Sequence, residues 1–292
     1  MTIQEARQTI LIEIKDLYEI NEAANIAELV LEKITEKNKL SRAIEKEKSL
    51  SPNEIEELKK IISRLKINEP VQYVLEEAWF AGMKFKVNKS VLIPRPETEE
   101  LADWVTRDSI KNNQYSINNN QFSILDIGTG SGCIPITIKK KLPGAVVTAI
   151  DVCSDALFIA TENAIANETE IEFTLLDFLD ENKWKVLGNY DVIVSNPPYV
   201  KQSEKQSMHL RVTDHEPQKA LFVPDEDALI FYKKLADFSL LHLNPKGKLF
   251  VEINEALGDD VVNLFQQKGF NSIELKKDMQ GKDRFVKAVK SW

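Results

Sequence analysis

The sequence predicts a doubly wound α/β domain, with a seven-stranded and mostly parallel sheet, preceded by a small all-helical domain. Three observations carry that prediction. From Phe122 onward, apolar strand-length runs alternate with amphipathic helical stretches, as in a parallel sheet covered on both faces. A glycine turn, Gly128-Thr129-Gly130-Ser131-Gly132, follows the first of these strands, where an open α/β sheet places its ligand crevice. Residues 1–66 contain no glycine, one proline and no strand-like alternation.

In that first stretch Ile3, Ala6, Ile10, Ile14 and Leu17 recur at helical spacing, as do Ile55, Leu58, Ile61, Ile62 and Leu65. Ser51-Pro52-Asn53-Glu54 reads as a helix start, with serine as the cap, proline in the first turn and glutamate closing a capping box. The apolar stripes need burial, and a helical bundle over 1–75 supplies it. Asn68-Glu69-Pro70 breaks the helical pattern, and residues 79–87 read as a hairpin around Gly82, so 76–93 is expected to be a hairpin linker. The second domain then covers 94–292. It opens with a helix after Arg95-Pro96-Glu97, followed by a polar loop with Asn112, Asn113, Asn118, Asn119 and Asn120. Strands are expected at 123–126, 145–151, 171–176, 190–195, 248–253, 272–275 and 285–289. Helices are expected from the glycine turn to 142, then at 154–167, 227–243 and 256–268, with a long loop after 195.

Composition narrows the function. Of 292 residues, 43% are hydrophobic and 29% charged, and the net charge is −8, so disorder and a fibrous fold are excluded and the whole chain is no match for nucleic-acid phosphates. The acidity is uneven: residues 1–66 hold 12 basic and 13 acidic residues, the remainder 26 and 33. Cys133 and Cys153 lack metal or redox spacing, and His209, His215 and His242 form no metal pattern or triad. Glu5 and Arg7 interrupt any secretory core, and no apolar run approaches ~18 residues. A soluble protein of the reducing cytoplasm is expected, with no bound metal and no membrane partner.

The glycine turn departs from a dinucleotide fingerprint, because its third glycine follows after one residue instead of two. Asp151 ends the next strand 23 residues beyond Gly128, close to the offset at which a carboxylate reaches ribose hydroxyls. The pair favours a nucleoside without a pyrophosphate to cradle, and S-adenosylmethionine is the candidate. A ligand-free strand–helix turn is the alternative. Phe178, after the third strand, offers a face for adenine and Asp177 an acceptor for its amine, although an acidic residue there also reads as a cap.

The fourth strand ends in Asn196-Pro197-Pro198-Tyr199. Two prolines stiffen the loop. The Asn196 side-chain carbonyl and the Pro197 main-chain carbonyl are two acceptors that match the two hydrogens of a planar –NH₂ group, and Tyr199 adds a stacking face. Such a nitrogen is a weak nucleophile, so the arrangement points to methyl transfer driven by alignment.

The glycine turn from Asp126, Asp151, the Asn-Pro-Pro-Tyr tetrad, Leu92-Ile93-Pro94-Arg95-Pro96-Glu97-Thr98-Glu99 and His215-Glu216-Pro217-Gln218-Lys219-Ala220-Leu221 together resemble the HemK-type release factor glutamine methyltransferases over essentially the whole chain. The resemblance implies methylation of the glutamine amide nitrogen in the Gly-Gly-Gln motif of class 1 peptide chain release factors, with S-adenosylmethionine as cofactor. It implies that Asp126, Ile127, Gly128, Thr129, Gly130, Asp151, Phe178 and Asn196 line the cofactor site. Asn196, Pro197 and Tyr199 would be catalytic, with Pro198 completing the substrate site. Arg95, Glu97 and Glu99 are assigned to shaping the pocket, an ordinary acidic helix start being the alternative. The helical domain is expected to recognise the protein substrate, and the chain to act as a monomer without a stable nucleic-acid partner. The tetrad alone also permits an adenine exocyclic-amine methyltransferase acting on nucleic acid. A non-catalytic nucleoside-binding adaptor would require a degraded turn, whereas every glycine of the turn is present.

Overall fold

The computed structural model describes residues 1–111 and 122–291; the expected loop with Asn112, Asn113, Asn118, Asn119 and Asn120 lies outside the described residues. The chain divides into two units, Met1–Glu77 with His209–His215 and Ala78–Met208 with Glu216–Trp292.

The first unit contains α1 (Ile3–Ile14), α2 (Ile20–Thr35), α3 (Lys39–Ile44), α4 (Pro52–Leu65) and α5 (Val71–Leu75). Capping boxes open α1 and α4: Thr2 pairs reciprocally with Glu5, and Ser51 with Glu54, so each helix satisfies two of its orphan N–H groups locally. The expected stripes meet in one core, with Ala6, Ile10 and Ile14 of α1 against Val30 and Leu31 of α2 and Leu58 and Leu65 of α4. Arg64 grips Glu69 through two 2.8 Å bonds and donates to the Tyr73 and Val74 carbonyls at 2.9 and 3.0 Å, which ties the Asn68-Glu69-Pro70 break to α5.

A distant segment joins this unit. The expected long loop after residue 195 contains α9 (Leu210–His215), whose Arg211 guanidinium lies 3.8 Å over the Tyr18 ring and donates to Glu22 at 2.7 Å and to the Leu17 carbonyl. Nothing in the local pattern of 209–215 announces a partner almost two hundred residues away.

The hairpin is β1 (Glu77–Phe80) and β2 (Met83–Lys86), turned by Ala81 and Gly82 at φ 50° and 77°. It is more than the linker expected at 76–93. Phe80 and Phe85 meet edge to face and are buried in a core of the second unit, and the Lys86 backbone exchanges two hydrogen bonds, of 2.6 and 2.9 Å, with the Asn163 amide.

The rest of the second unit runs α6 (Pro96–Lys111), β3 (Ser123–Ile127), α7 (Cys133–Lys141), β4 (Val146–Asp151), α8 (Ser154–Ala166), β5 (Glu172–Leu175), β6 (Tyr190–Ser195), β7 (Val200–Lys201), α10 (Gln218–Leu221), β8 (Phe222–Val223), α11 (Ile230–His242), β9 (Leu243–Glu252), α12 (Gly258–Gln267), β10 (Asn271–Lys277) and β11 (Asp283–Val289). The seven-stranded sheet has the order β10-β11-β9-β6-β3-β4-β5. Its pairs from β9 to β5 are parallel and those of β11 with β9 and β10 antiparallel. The expected α/β class and strand positions hold. β9 begins earlier than expected, at Leu243, with a register shift against β6 before Lys248. The short parallel pairing of β7 with β8 closes the base of the excursion that carries α9.

Among the described residues, no helix is long and apolar enough to cross a membrane. Because the Ser51 hydroxyl accepts the Glu54 N–H, Ser51→Ala is expected to destabilise the first unit by about 1 kcal/mol in urea unfolding.

Candidate active site

Sheet order and register decide which residues meet. The chain winds from β3 to β4 and β5 on one side and returns to β6 on the other, so the order reverses between β3 and β6, the place where such sheets bind ligands. Ile127 pairs with Ile150 and with Ser195, Ser195 with Val251, and Asp151 with Leu175. The turn after Ile127, the carboxylate of Asp151, the loop after Ser195 and Glu252 therefore emerge at one carboxyl edge. A 2.7 Å bond from the Ser195 hydroxyl to the Ile127 carbonyl pins β6 to β3 there.

The three glycines of the turn have φ of 77°, 54° and 80°, backbone that L side chains rarely adopt. Their surroundings differ. A Cβ at Gly128 or Gly130 would meet nothing within 4 Å, whereas one at Gly132 would lie 3.1 Å from Ala160 and Ile136. The first two leave open space at the crevice, and the third allows α7 to pack closely on α8.

Asp126 is 0% exposed, and neither of its carboxylate oxygens has a hydrogen-bond partner. Burial pushes its carboxyl up to about 7, and the nearby Thr129 side chain offsets only part of that. The Thr129 hydroxyl is likewise buried without a partner. Asp151 is more fully held, one oxygen accepting from Gly130 N at 2.8 Å and the other from Cys153 N at 2.9 Å. Burial raises its pKa and these amides pull it back.

Phe178 lies in an aromatic core, stacked on Trp184 at 5.5 Å and edge-on to Phe238 at 5.4 Å. Asp177 accepts from Leu179 N at 3.1 Å in a local turn, and the helical turn that follows, Glu181–Val186, is capped by Asp180 instead.

At the tetrad, Pro197 is buried and Asn196, Pro198 and Tyr199 are half-buried. The Asn196 amide donates to the Thr98 hydroxyl at 3.0 Å, Thr98 donates to Glu252 Oε2 at 2.7 Å, and the Tyr199 hydroxyl donates to Glu252 Oε1 at 3.1 Å. Thr98 lies in the first turn of α6, inside the segment whose charged residues drew attention in the sequence. Glu252, 1% exposed, closes an apolar strand and carried no sequence signal beyond being a charge where apolar residues were due. Of the charged residues, Arg95 pairs at 2.6 Å with the buried Glu216, which also accepts from Ile93 N at 3.2 Å. Two segments more than a hundred residues apart in sequence thus meet. Glu97 accepts instead from the Gln280 amide at 3.3 Å.

Comparison with known proteins shows the family. A family model of the PrmC N-terminal domain matches residues 5–75 and one of the methyltransferase small domain matches residues 113–218. A release factor glutamine methyltransferase of Flavobacterium psychrophilum is 38% identical over 98% of this chain and 99% of its own. The chain belongs to the release factor glutamine methyltransferases. Members from Bacteroides thetaiotaomicron, 40% identical over 94% of this chain and 95% of theirs, and from Lactococcus lactis, 36% identical over 97% of each, are also similar along nearly the full length.

The edge has the chemistry for the methyl donor expected of such a methyltransferase. S-adenosylmethionine carries ribose hydroxyls, a sulfonium and an ammonium. Asp151 keeps lone pairs beyond its two backbone donors, the unpaired Asp126 carboxylate suits a cation or a hydrogen-bond donor, and Gly128 and Gly130 leave room for close approach.

Because folding raises the Asp126 pKa from 3.8, the ligand-free fold binds that proton more tightly than the unfolded chain. This stabilising contribution is fully present below pH ~4 and is lost as pH rises through ~7. Asp126→Asn is therefore expected to stabilise the ligand-free protein at pH 8 by on the order of 1–3 kcal/mol, with a smaller gain at pH 5. Calorimetry should show S-adenosylmethionine binding weakened about tenfold or more.

Proposed function

We propose that this protein methylates the side-chain amide nitrogen of the glutamine in the Gly-Gly-Gln motif of class 1 peptide chain release factors, using S-adenosylmethionine. The observation that carries the reading is the bond from the Asn196 amide to Thr98. It engages the nitrogen end of that side chain with the protein and leaves Oδ1 as an acceptor, with the main-chain carbonyl of the next residue, Pro197, as the second. Two acceptors are what a planar –NH₂ requires.

When bound, S-adenosylmethionine supplies an electrophilic methyl group on a sulfonium. The residues of this chain supply geometry. Asn196 and Pro197 orient the amide and draw electron density toward its nitrogen, Pro198 stiffens the loop, and Tyr199, tethered through its hydroxyl to Glu252, offers the ring for stacking. Asp126, Ile127, Gly128, Thr129, Gly130 and Asp151 form the cofactor side, with Phe178 supporting that wall from the aromatic core. Alignment of two reactants can contribute ~7–11 kcal/mol, so no strong base is needed before transfer. A substrate that works on the ribosome supports reading the enzyme as cytoplasmic, and we read it as a monomer.

The test is methylation of a release factor by the purified protein with S-adenosylmethionine, followed by mass spectrometry of the Gly-Gly-Gln peptide. A methyl gain on the glutamine is expected, and Asn196→Ala should reduce its rate by about a hundredfold or more. The absence of a gain from a cofactor-binding preparation overturns the reading. Transfer to adenine in DNA or RNA would favour the nucleic-acid alternative, against which the acidic excess of residues 67–292 counts.

We assign substrate recognition to the helical unit. Intact release factor should then show a kcat/KM about tenfold or more above that of a short Gly-Gly-Gln peptide, and equal values would remove that role.

A further inference from the structure

Glu252 holds together three elements at the candidate site. Its Oε2 accepts from Thr98 on α6, its Oε1 from Tyr199 in the loop after β6, and its backbone carbonyl from Tyr232 on α11 at 3.1 Å. We infer that Glu252 is a positioning residue that sets, through Thr98, the direction in which the Asn196 amide faces, and thereby makes the site selective for a hydrogen-bond-donating –NH₂ group. The inference rests on the reading of the site as a glutamine amide methyltransferase and adds the origin of its polarity.

The argument is one of donor and acceptor count. An ionised carboxylate only accepts, and a threonine hydroxyl has one hydrogen to give. Facing Glu252 Oε2, Thr98 must spend that hydrogen on the carboxylate, so toward Asn196 it can only accept. Asn196 must then turn its –NH₂ toward Thr98 and its carbonyl the other way. The polarity presented to substrate is thus written two hydrogen bonds back. Tyr199 is held by the second oxygen in the same way, so its hydroxyl hydrogen is also committed.

Replacing the carboxylate by a group that donates toward Thr98 reverses the chain: Thr98 would accept from residue 252, give its hydrogen to Asn196 Oδ1, and leave an –NH₂ facing the substrate –NH₂. Glu252→Gln offers such a donor. Protonation of Glu252 offers another. Burial pushes this carboxyl up to about 7, with Glu97 adding to the rise and the bonds from Thr98 and Tyr199 and the charge of Arg284 opposing it. The other titratable groups facing it are Tyr232 and the Cys133 thiol, itself pushed up to about 12 by burial.

The test compares Glu252→Gln, Thr98→Val and Thr98→Ser with wild type in methylation of a Gly-Gly-Gln peptide, with S-adenosylmethionine affinity measured by calorimetry on each. Thr98→Val and Glu252→Gln should lower kcat about tenfold or more with cofactor Kd within about twofold, and Thr98→Ser, which restores the hydroxyl, should recover most of the loss. Wild-type kcat should fall as pH drops below about 7, and Glu252→Gln should lack that limb. The inference is overturned if Thr98→Val keeps wild-type kcat, if Thr98→Val and Thr98→Ser fall together, if cofactor affinity falls in proportion to kcat, or if the acidic limb persists in Glu252→Gln. Should Glu252→Gln fail to fold, the two Thr98 variants decide. Wild type that binds cofactor yet leaves the peptide unmethylated overturns the functional reading instead.

Discussion

The second unit depends on one constraint: β3 pairs in parallel with β4 on one side and with β6 on the other. A chain that winds outward through β5 must come back across β3, and the return puts the ends of two unrelated segments next to each other. Ile127 and Ser195 are register partners, so the glycine turn and the Asn-Pro-Pro-Tyr loop begin at the same height without any bond between their own side chains having to arrange it. β9 beside β6 brings Glu252 to that edge one residue past Val251, the partner of Ser195. Thr98 comes from outside the sheet, on the first turn of α6.

Buried carboxyls at such an edge are a liability before they are useful. Asp126 and Glu252 are both almost wholly excluded from water and both pushed up to about 7. Their situations differ. Glu252 spends each oxygen on a protein donor, whereas Asp126 has none. An unsatisfied buried acceptor disfavours the ligand-free state, so a ligand that supplies a donor or a positive charge relieves a penalty the fold already carries. The acidic excess lies with the same part of the chain, 26 basic against 33 acidic residues beyond position 66, a balance that favours the approach of a basic protein over that of a nucleic acid.

What the sequence made legible follows from which signals are local. Strand and helix periodicities, the Ser51–Glu54 capping box and the glycine turn are written in neighbouring residues, and they reappear at or near the expected positions. Asn196 and Tyr199 stood out because proline pairs are conspicuous. Thr98 was hidden between charged residues, and Glu252 sat at the end of an apolar strand, because each draws its meaning from a partner far away in the chain. Phe178 was legible as an aromatic residue, but its surroundings depend on Trp184 and Phe238, which no spacing rule links to it. The hairpin was visible as a turn, while its burial depended on the packing of Phe80 and Phe85, a tertiary matter.

The division of the chain bears on how the helical unit can be manipulated. Because His209–His215 belongs with Met1–Glu77, the polypeptide passes between the units at three peptide bonds, not one. A protein shortened to begin at Ala78 would keep Arg211 but lose Tyr18, the Leu17 carbonyl and Glu22, the groups that hold its guanidinium. The orphaned stretch lies between β7 and β8, directly downstream of Tyr199 and upstream of Glu216. Cutting off the helices is therefore not a clean amputation: it also strips residues 209–215 of the groups that hold Arg211, so any defect in the shortened protein would not report on the missing helices alone.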